Sequence, residues 1–129
     1  MIGYALVGNN DLEKAKAFYD ALFGAVGIGR LMEFGERGYA WGARWDRPMF
    51  GVIKPYDGNP ATFGNGTMVA VVVDERAKVD KLHTKALELG GKDEGGPGVR
   101  GEEGDQAFYG AYFRDLDGNK ICAFRVGPA

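Results

Sequence analysis

The segment Tyr112-Phe113-Arg114-Asp115-Leu116-Asp117-Gly118-Asn119-Lys120-Ile121-Cys122 reads as two β-strands joined by a tight turn. Its central residues are aspartate, glycine and asparagine, which accept positive φ angles or hydrogen-bond to their own backbone. Aromatic and β-branched residues, which are typical of strands, flank the turn. The segment therefore predicts a β-hairpin.

The turn also predicts the register of this hairpin. The expected cross-strand pairs are Arg114 with Lys120, Tyr112 with Cys122, and Gly110 with Phe124. Because side chains alternate between the two faces of a strand, these six residues are predicted to share one face of a sheet.

The first half of the chain reads as a strand, a helix and three further strands. The predicted strand Tyr4–Val7 leads to a helix over Leu12–Phe23, which Asn10 or Asp11 caps. Gly24 is expected to end this helix in the left-handed conformation. Strand candidates follow near Arg30–Phe34, Tyr39–Arg44 and Met49–Lys54.

The second half repeats this order. The strand Thr67–Val73 contains the apolar run Val69–Val73, which is predicted to be buried on both faces. Asp74 is expected to cap a helix over Glu75–Leu89, about half a chain length after the first cap. The sequence therefore predicts one domain, 1–129, built from two modules at about 1–56 and 66–129.

The Asp115-Leu116-Asp117-Gly118-Asn119 turn resembles the Asp-Pro-Asp-Gly-Asn signature of the glyoxalase/bleomycin resistance/dioxygenase superfamily, also called the vicinal oxygen chelate superfamily. Together with the repeat, the resemblance covers nearly the whole chain. It extends to a subgroup of uncharacterised bacterial glyoxalase-like proteins. It implies an α+β fold in which two βαβββ modules form an open, cup-like barrel, and it implies a homodimer.

The resemblance also implies where a metal would bind in the members that use one. The positions of two histidine ligands correspond to Tyr4 and Met68, and that of a glutamate ligand corresponds to Cys122. The remaining position lies on the strand Pro48–Pro55, which contains no His, Asp or Glu. We therefore expect no metal and no other cofactor. The only histidine, His83, is predicted to be solvated on a helix face.

Since Cys122 takes an inner ligand position, the shared face of the hairpin is expected to line the cavity. The candidate ligand-binding residues are Tyr4, Met68, Arg100, Arg114, Lys120, Cys122 and Phe124. A cavity of this composition suits a planar or aromatic molecule that carries an anionic group. Alternatively, Tyr112 and Phe124 fill the barrel and Arg114 is solvated. Cys122 itself is interpreted as a small buried residue rather than a nucleophile.

The glycine-rich segment Gly91–Gly104 is predicted to be a long loop, either a lid over the site or a mobile linker. It carries Arg100, which is a candidate to orient an anion, as is Arg114, and two candidate bases, Glu102 and Glu103. Tyr112 is the other candidate catalytic acid or base.

The composition limits the partners. The net charge of −2 and the absence of basic blocks exclude an electrostatic case for nucleic acid or a membrane surface. One cysteine and no evident signal peptide suggest the cytoplasm.

Three functions stay open. The first is metal-free sequestration of a small organic molecule, as in bleomycin resistance members. The second is metal-independent catalysis in the same cavity. The third is a metal-dependent reaction, of a lactoylglutathione lyase-like enzyme or a dioxygenase, with relocated ligands. Whether the protein is an enzyme is left open.

Overall fold

The computed structural model describes residues 1–129. Its elements are β1 Tyr4–Gly8, α1 Leu12–Gly24, β2 Arg30–Glu33, β3 Gly38–Trp41, β4 Met49–Ile53, β5 Met68–Val72, α2 Arg76–Glu88, β6 Lys92–Arg100, β7 Phe108–Arg114 and β8 Lys120–Val126. The order β-α-β-β-β thus occurs twice. None of the helices combines the length and hydropathy needed to cross a membrane.

The strands form two four-stranded sheets, in the orders β1-β4-β3-β2 and β5-β8-β7-β6. In each sheet the strand before the helix pairs in parallel with the last strand of its module, and the other pairs are antiparallel. The two sheets do not close on each other. The predicted α+β fold of two βαβββ modules in an open cup is therefore confirmed.

Helix α1 is capped by Asp11, one of the two predicted caps, whose carboxylate accepts a hydrogen bond from the Lys14 amide at 3.1 Å. Its end differs from the prediction. Gly24 is the last helical residue, and the left-handed turn falls at Gly27, with φ 78°. Helix α2 also differs: Glu75 is the N-cap and makes no side-chain capping bond. Asp74 instead pairs with Lys78 at 2.7 Å.

One hydrophobic core joins the two modules. Aromatic rings of α1 pack against β3 and β4; the Tyr19 and Phe50 centroids, for example, lie 4.8 Å apart. The same buried cluster includes Val79 and Leu82 of α2 and Phe113 of β7. The two modules therefore bury their apolar side chains in the same core. Burial of apolar surface is the main favourable contribution to folding.

The hairpin turn fastens the modules together. Asp115, only 6% exposed, accepts hydrogen bonds from the Tyr19 hydroxyl of α1 at 2.6 Å and from the Asn119 amide at 2.9 Å. The Asn119 side chain in turn donates to the Gly8 carbonyl at 2.8 Å. These bonds explain the Asp-x-Asp-Gly-Asn pattern, because each buried polar group of the turn finds a partner.

Strand β5 is not buried on both faces as expected. It lies at the edge of its sheet, where Val69 and Val71 pack on the core while Met68 and Val72 are 44% and 67% exposed. Period-2 alternation is normal for an antiparallel or edge strand with one solvated face. The apolar run is therefore half exposed, and the earlier expectation is wrong.

Most of the glycine-rich segment is a strand rather than a loop. Residues Lys92–Arg100 form β6, which pairs with β7 along the other edge of the sheet. The pairing skips residues on either side of Gly95, so the strand is bulged there. Only the turn after Arg100 remains irregular.

Candidate functional site on the inner face of the second sheet

The hairpin has the predicted register, with Arg114 opposite Lys120 and Tyr112 opposite Cys122. The alternate residues Phe113 and Ile121 are buried in the core beneath α2. We call the opposite surface the inner face. Its residues on β7 and β8 are Phe108, Gly110, Tyr112, Arg114, Lys120, Cys122, Phe124 and Val126.

Tyr112 and Cys122 lie directly opposite each other at the centre of the inner face. Burial raises the pKa of the Tyr112 hydroxyl, and Cys122 adds to this shift. Burial also raises the pKa of the Cys122 thiol, although the neighbouring Tyr112 acts in the opposite direction. Both groups are therefore protonated at neutral pH. Cys122, at 2% exposure, is the buried small residue that the sequence predicted.

Two cations lie against the Tyr112 ring. The Arg100 guanidinium carbon and the Lys120 ammonium nitrogen are each 5.5 Å from the ring centroid. Arg100 donates to the Gly96 and Gly98 carbonyls at 2.7 and 3.0 Å. No carboxylate lies within ion-pair distance of either cation. Each can therefore accept an anionic partner.

Arg114 is engaged differently. Its Nε donates to Glu94 at 2.8 Å, and its guanidinium carbon lies 5.4 Å from the centroid of the Phe63 ring. Hydrogen bonding to Arg114 lowers the pKa of the Glu94 carboxyl. The predicted anion-orienting role consequently fits Arg100 and Lys120 better than Arg114.

A flat aromatic surface adjoins this pair of cations. The rings of Phe108 and Phe124 stack with centroids 5.2 Å apart and an interplanar angle of 10°. Gly110 makes this possible, since a Cβ there would lie 2.6 Å from Phe108 Cε1. Phe108 was not among the sequence-predicted residues. A glycine opposite an aromatic residue is the signal that could have indicated it.

The two candidate bases lie elsewhere. Glu103 pairs with Arg76, whose guanidinium carbon lies 5.0 Å from the centroid of the Tyr109 ring. Tyr109 belongs to the face that packs on α2, where its hydroxyl donates to Asp80 at 2.7 Å. Hydrogen bonding to Arg76 also lowers the pKa of the Glu103 carboxyl. Glu102 lies in the exposed turn after β6. The structure brings neither glutamate to Tyr112.

Tyr4 and Met68 occupy edge strands. Tyr4, on β1 of the first sheet, lies beside Phe34, with centroids 6.3 Å apart. Met68 is paired with Lys120 in register and lines a cavity of about 590 Å³ between the modules. That cavity is walled mainly by apolar side chains, including Trp41 and Phe50. It therefore offers no charged group to a ligand.

The residues present do not fit a divalent metal. The three corresponding positions carry the phenol of Tyr4, the thioether of Met68 and the buried thiol of Cys122. No group of three His, Cys, Asp or Glu side chains comes close enough to hold an ion. Divalent metals in this role need several nitrogen or oxygen donors that converge on one point.

His83 corrects another expectation. It is 7% exposed, and its Nε2 lies 3.0 Å from Asp93 Oδ1 on β6. A solvated position was predicted because His83 follows the apolar stripe of α2 along the sequence. Strand β6 covers that side of the helix, and its carboxylate satisfies the buried imidazole.

Comparisons with known proteins agree with this fold. Residues 1–123 match the sequence model of the Glyoxalase/Bleomycin resistance protein/Dioxygenase superfamily. A glyoxalase/bleomycin resistance protein from Albidiferax ferrireducens is 38% identical, with 97% of this chain and 98% of that chain covered and a TM-score of 0.84. A hypothetical protein from S. aureus is 25% identical, with 97% and 92% covered and a TM-score of 0.70. No curated protein matches the chain.

A lactoylglutathione lyase from Agrobacterium tumefaciens is 20% identical, with 97% of this chain and 92% of that chain covered and a TM-score of 0.63, and this likeness concerns the fold alone. The family model spans nearly the whole chain, including both modules and most of the final hairpin. The protein is thus a member of the glyoxalase/bleomycin resistance/dioxygenase superfamily.

Proposed function

We propose that the protein binds a small aromatic anion on the inner face of its second sheet, without a metal, and holds it without turnover. The observation that carries this proposal is the position of Arg100 and Lys120 against the Tyr112 ring with no carboxylate partner. A carboxylate or sulfonate between them would complete charge-assisted hydrogen bonds.

The aromatic part of the ligand would lie on the neighbouring hydrophobic surface. The stacked rings of Phe108 and Phe124 offer a flat contact for a planar molecule. Tyr112 shares the inner face with these rings, and its hydroxyl is protonated at neutral pH, so it would donate to the ligand's polar group.

Sequestration fits better than catalysis because no free base contacts Tyr112: the one carboxylate bonded to an inner-face residue, Glu94, is held by Arg114. The pKa of Tyr112 and that of Cys122 are both raised, and the pKa-lowered Glu103 lies on the far side of the sheet. A metal-independent enzyme is the second candidate, with protonated Tyr112 as general acid and Arg100 orienting the substrate. A metal-dependent lyase or dioxygenase would need ligands other than those at the family positions.

Calorimetric titration with naphthalene-2-carboxylate tests the ligand class. We expect it to bind at least about tenfold more tightly than the neutral naphthalene-2-carboxamide, since a charge-assisted contact contributes about 1.5–3 kcal/mol. Binding should be unaffected by EDTA, and chromatography should recover the ligand unchanged. Tighter binding of the cationic 2-(aminomethyl)naphthalene would reject the anion class. Affinity that requires added Zn²⁺ or Fe²⁺ would instead favour the metal-dependent alternative.

Turnover is assayed separately, by product analysis over a panel of aromatic carboxylates. If a product forms in EDTA and Tyr112→Phe abolishes it, catalysis replaces sequestration as the function.

We also propose a homodimer built through the edge strands β1 and β5. Their exposed residues include Tyr4, Leu6, Met68 and Val72, a concentration of apolar surface that a monomer rarely leaves in water. The cup beside them is open, so a second copy would cover the inner face as well. The buried, unpaired thiol of Cys122 fits a reducing compartment such as the cytoplasm.

Replacing Val72 with aspartate should shift the protein to monomers, because a desolvated, unpaired carboxylate would lie in the interface. Light scattering after size-exclusion chromatography measures the mass. The control is Leu87→Asp, which places the same charge on an exposed apolar site of α2. A wild-type mass of one chain at about 100 µM, well above typical dissociation constants of specific dimers, would reject the homodimer.

A further inference from the structure

We infer that His83 positions Arg100 at the ligand site from the opposite side of the sheet, through Asp93 and Gly95. This inference rests on the proposed function, since it concerns how the Arg100 side chain is held in place to bind the anion on the same inner face. His83 itself would touch no ligand.

The first link is a shared carboxylate oxygen. Asp93 Oδ1 lies 3.0 Å from His83 Nε2 and accepts the Gly95 amide hydrogen bond at 2.9 Å. These two hydrogen bonds also lower the pKa of the Asp93 carboxyl, so it is ionised at neutral pH. An ionised carboxylate only accepts, and His83 Nε2 therefore carries the proton and donates it.

The second link is the bulge in β6. The register of β6 against β7 shifts between Asp93 and Gly95, and again between Gly95 and Gly98. The bond from the Gly95 amide to Asp93 spans the first shift. Asp93 pairs with Phe113, whose side chain packs beneath α2, whereas Gly95 pairs with Tyr112 of the inner face. The bulge therefore connects the helix side of the sheet to the ligand side.

The third link is the space above the bulge. A Cβ on Gly95 would lie 3.1 Å from Tyr112 Cδ2 and 3.3 Å from Arg100 Nη2. The Arg100 guanidinium thus occupies the room that glycine leaves. It is held there by the Gly96 and Gly98 carbonyls, both within the bulged stretch. If the bulge relaxes, these two acceptors move and the guanidinium loses its fixed place over Tyr112.

The test compares His83→Leu, which removes the donor, with His83→Gln, whose amide can replace Nε2–H. Thr84→Val, on an exposed site of the same helix, is the control. Amide hydrogen exchange of Gly95, measured by NMR, reports the bulge directly. We expect it to be about tenfold faster in His83→Leu, since the loss of about one hydrogen bond is worth about 1.4 kcal/mol. It should be near the wild-type rate in His83→Gln.

Affinity for naphthalene-2-carboxylate is the second readout. His83→Leu should weaken it by about tenfold in the wild-type background and leave it unchanged in an Arg100→Ala background, because the coupling acts through Arg100. An equal loss in both backgrounds, or unchanged Gly95 exchange in His83→Leu, overturns the inference. If the wild-type protein does not bind the probe, the proposed function fails. The Gly95 exchange and the NMR shift of Arg100 Nε–H then decide the positioning role.

Discussion

Replacing Asp115 with alanine is expected to lower the free energy of unfolding by about 3–5 kcal/mol. The carboxylate accepts hydrogen bonds from the Tyr19 hydroxyl, from the Asp117 amide, and from both the backbone and side-chain amides of Asn119. Alanine would leave these donors unpaired beside the core, and each unpaired buried donor costs about 1–3 kcal/mol. Urea unfolding followed by circular dichroism measures the change.

Two variants make this result specific. Tyr19→Phe removes one donor and should cost about 1–2 kcal/mol, less than Asp115→Ala. Asp105→Ala removes an exposed carboxylate from the turn before β7 and should change stability by less than about 0.5 kcal/mol. If Asp115→Ala costs no more than Asp105→Ala, the turn does not fasten the modules as described.

Replacing Lys120 with glutamate is expected to weaken binding of naphthalene-2-carboxylate by at least about 100-fold. The substitution removes one of the two cations over Tyr112 and puts a negative charge in its place. Stability should change by less than about 1 kcal/mol, since Lys120 makes no direct ion pair and its charge contributes less than Arg114 does to the lowered pKa of the nearby Glu94 carboxyl. Calorimetric titration gives the affinity, and thermal unfolding gives the stability.

The matched control is Lys81→Glu on the exposed side of α2, which changes the net charge by the same amount. It tests whether long-range repulsion alone explains the effect, and we expect less than about a twofold loss at physiological salt. If both variants lose affinity to a similar extent, the anion does not bind next to Lys120, and the proposed contact between the two charges is wrong.

The parts of the fold that could be predicted from the sequence are those determined by contacts between residues close together in the chain. The Asp115–Asn119 turn specifies its own register, so the pairing of Tyr112 with Cys122 was predicted correctly. Asp11 was likewise recognisable as a helix cap, because its side chain bonds an amide three residues away. Neither prediction needs knowledge of a distant contact.

Predictions failed where a distant element decided the outcome. β6 was interpreted as a loop because glycine and proline have low strand propensity, yet pairing with β7 orders it. His83 was expected in solvent, yet β6 folds over it and supplies Asp93. The five apolar residues of β5 suggested burial on both faces, but an edge position leaves one face open.

The candidate site shows the same division. Side chains alternate between the two faces of a strand, so the sequence alone determined which residues of β7 and β8 share a face. Which of the cations stay unpaired was decided by the tertiary structure, because Glu94 reaches Arg114 and no carboxylate reaches Arg100 or Lys120. Strand periodicity is a property of neighbouring residues in the chain, whereas charge pairing depends on segments that meet only after folding.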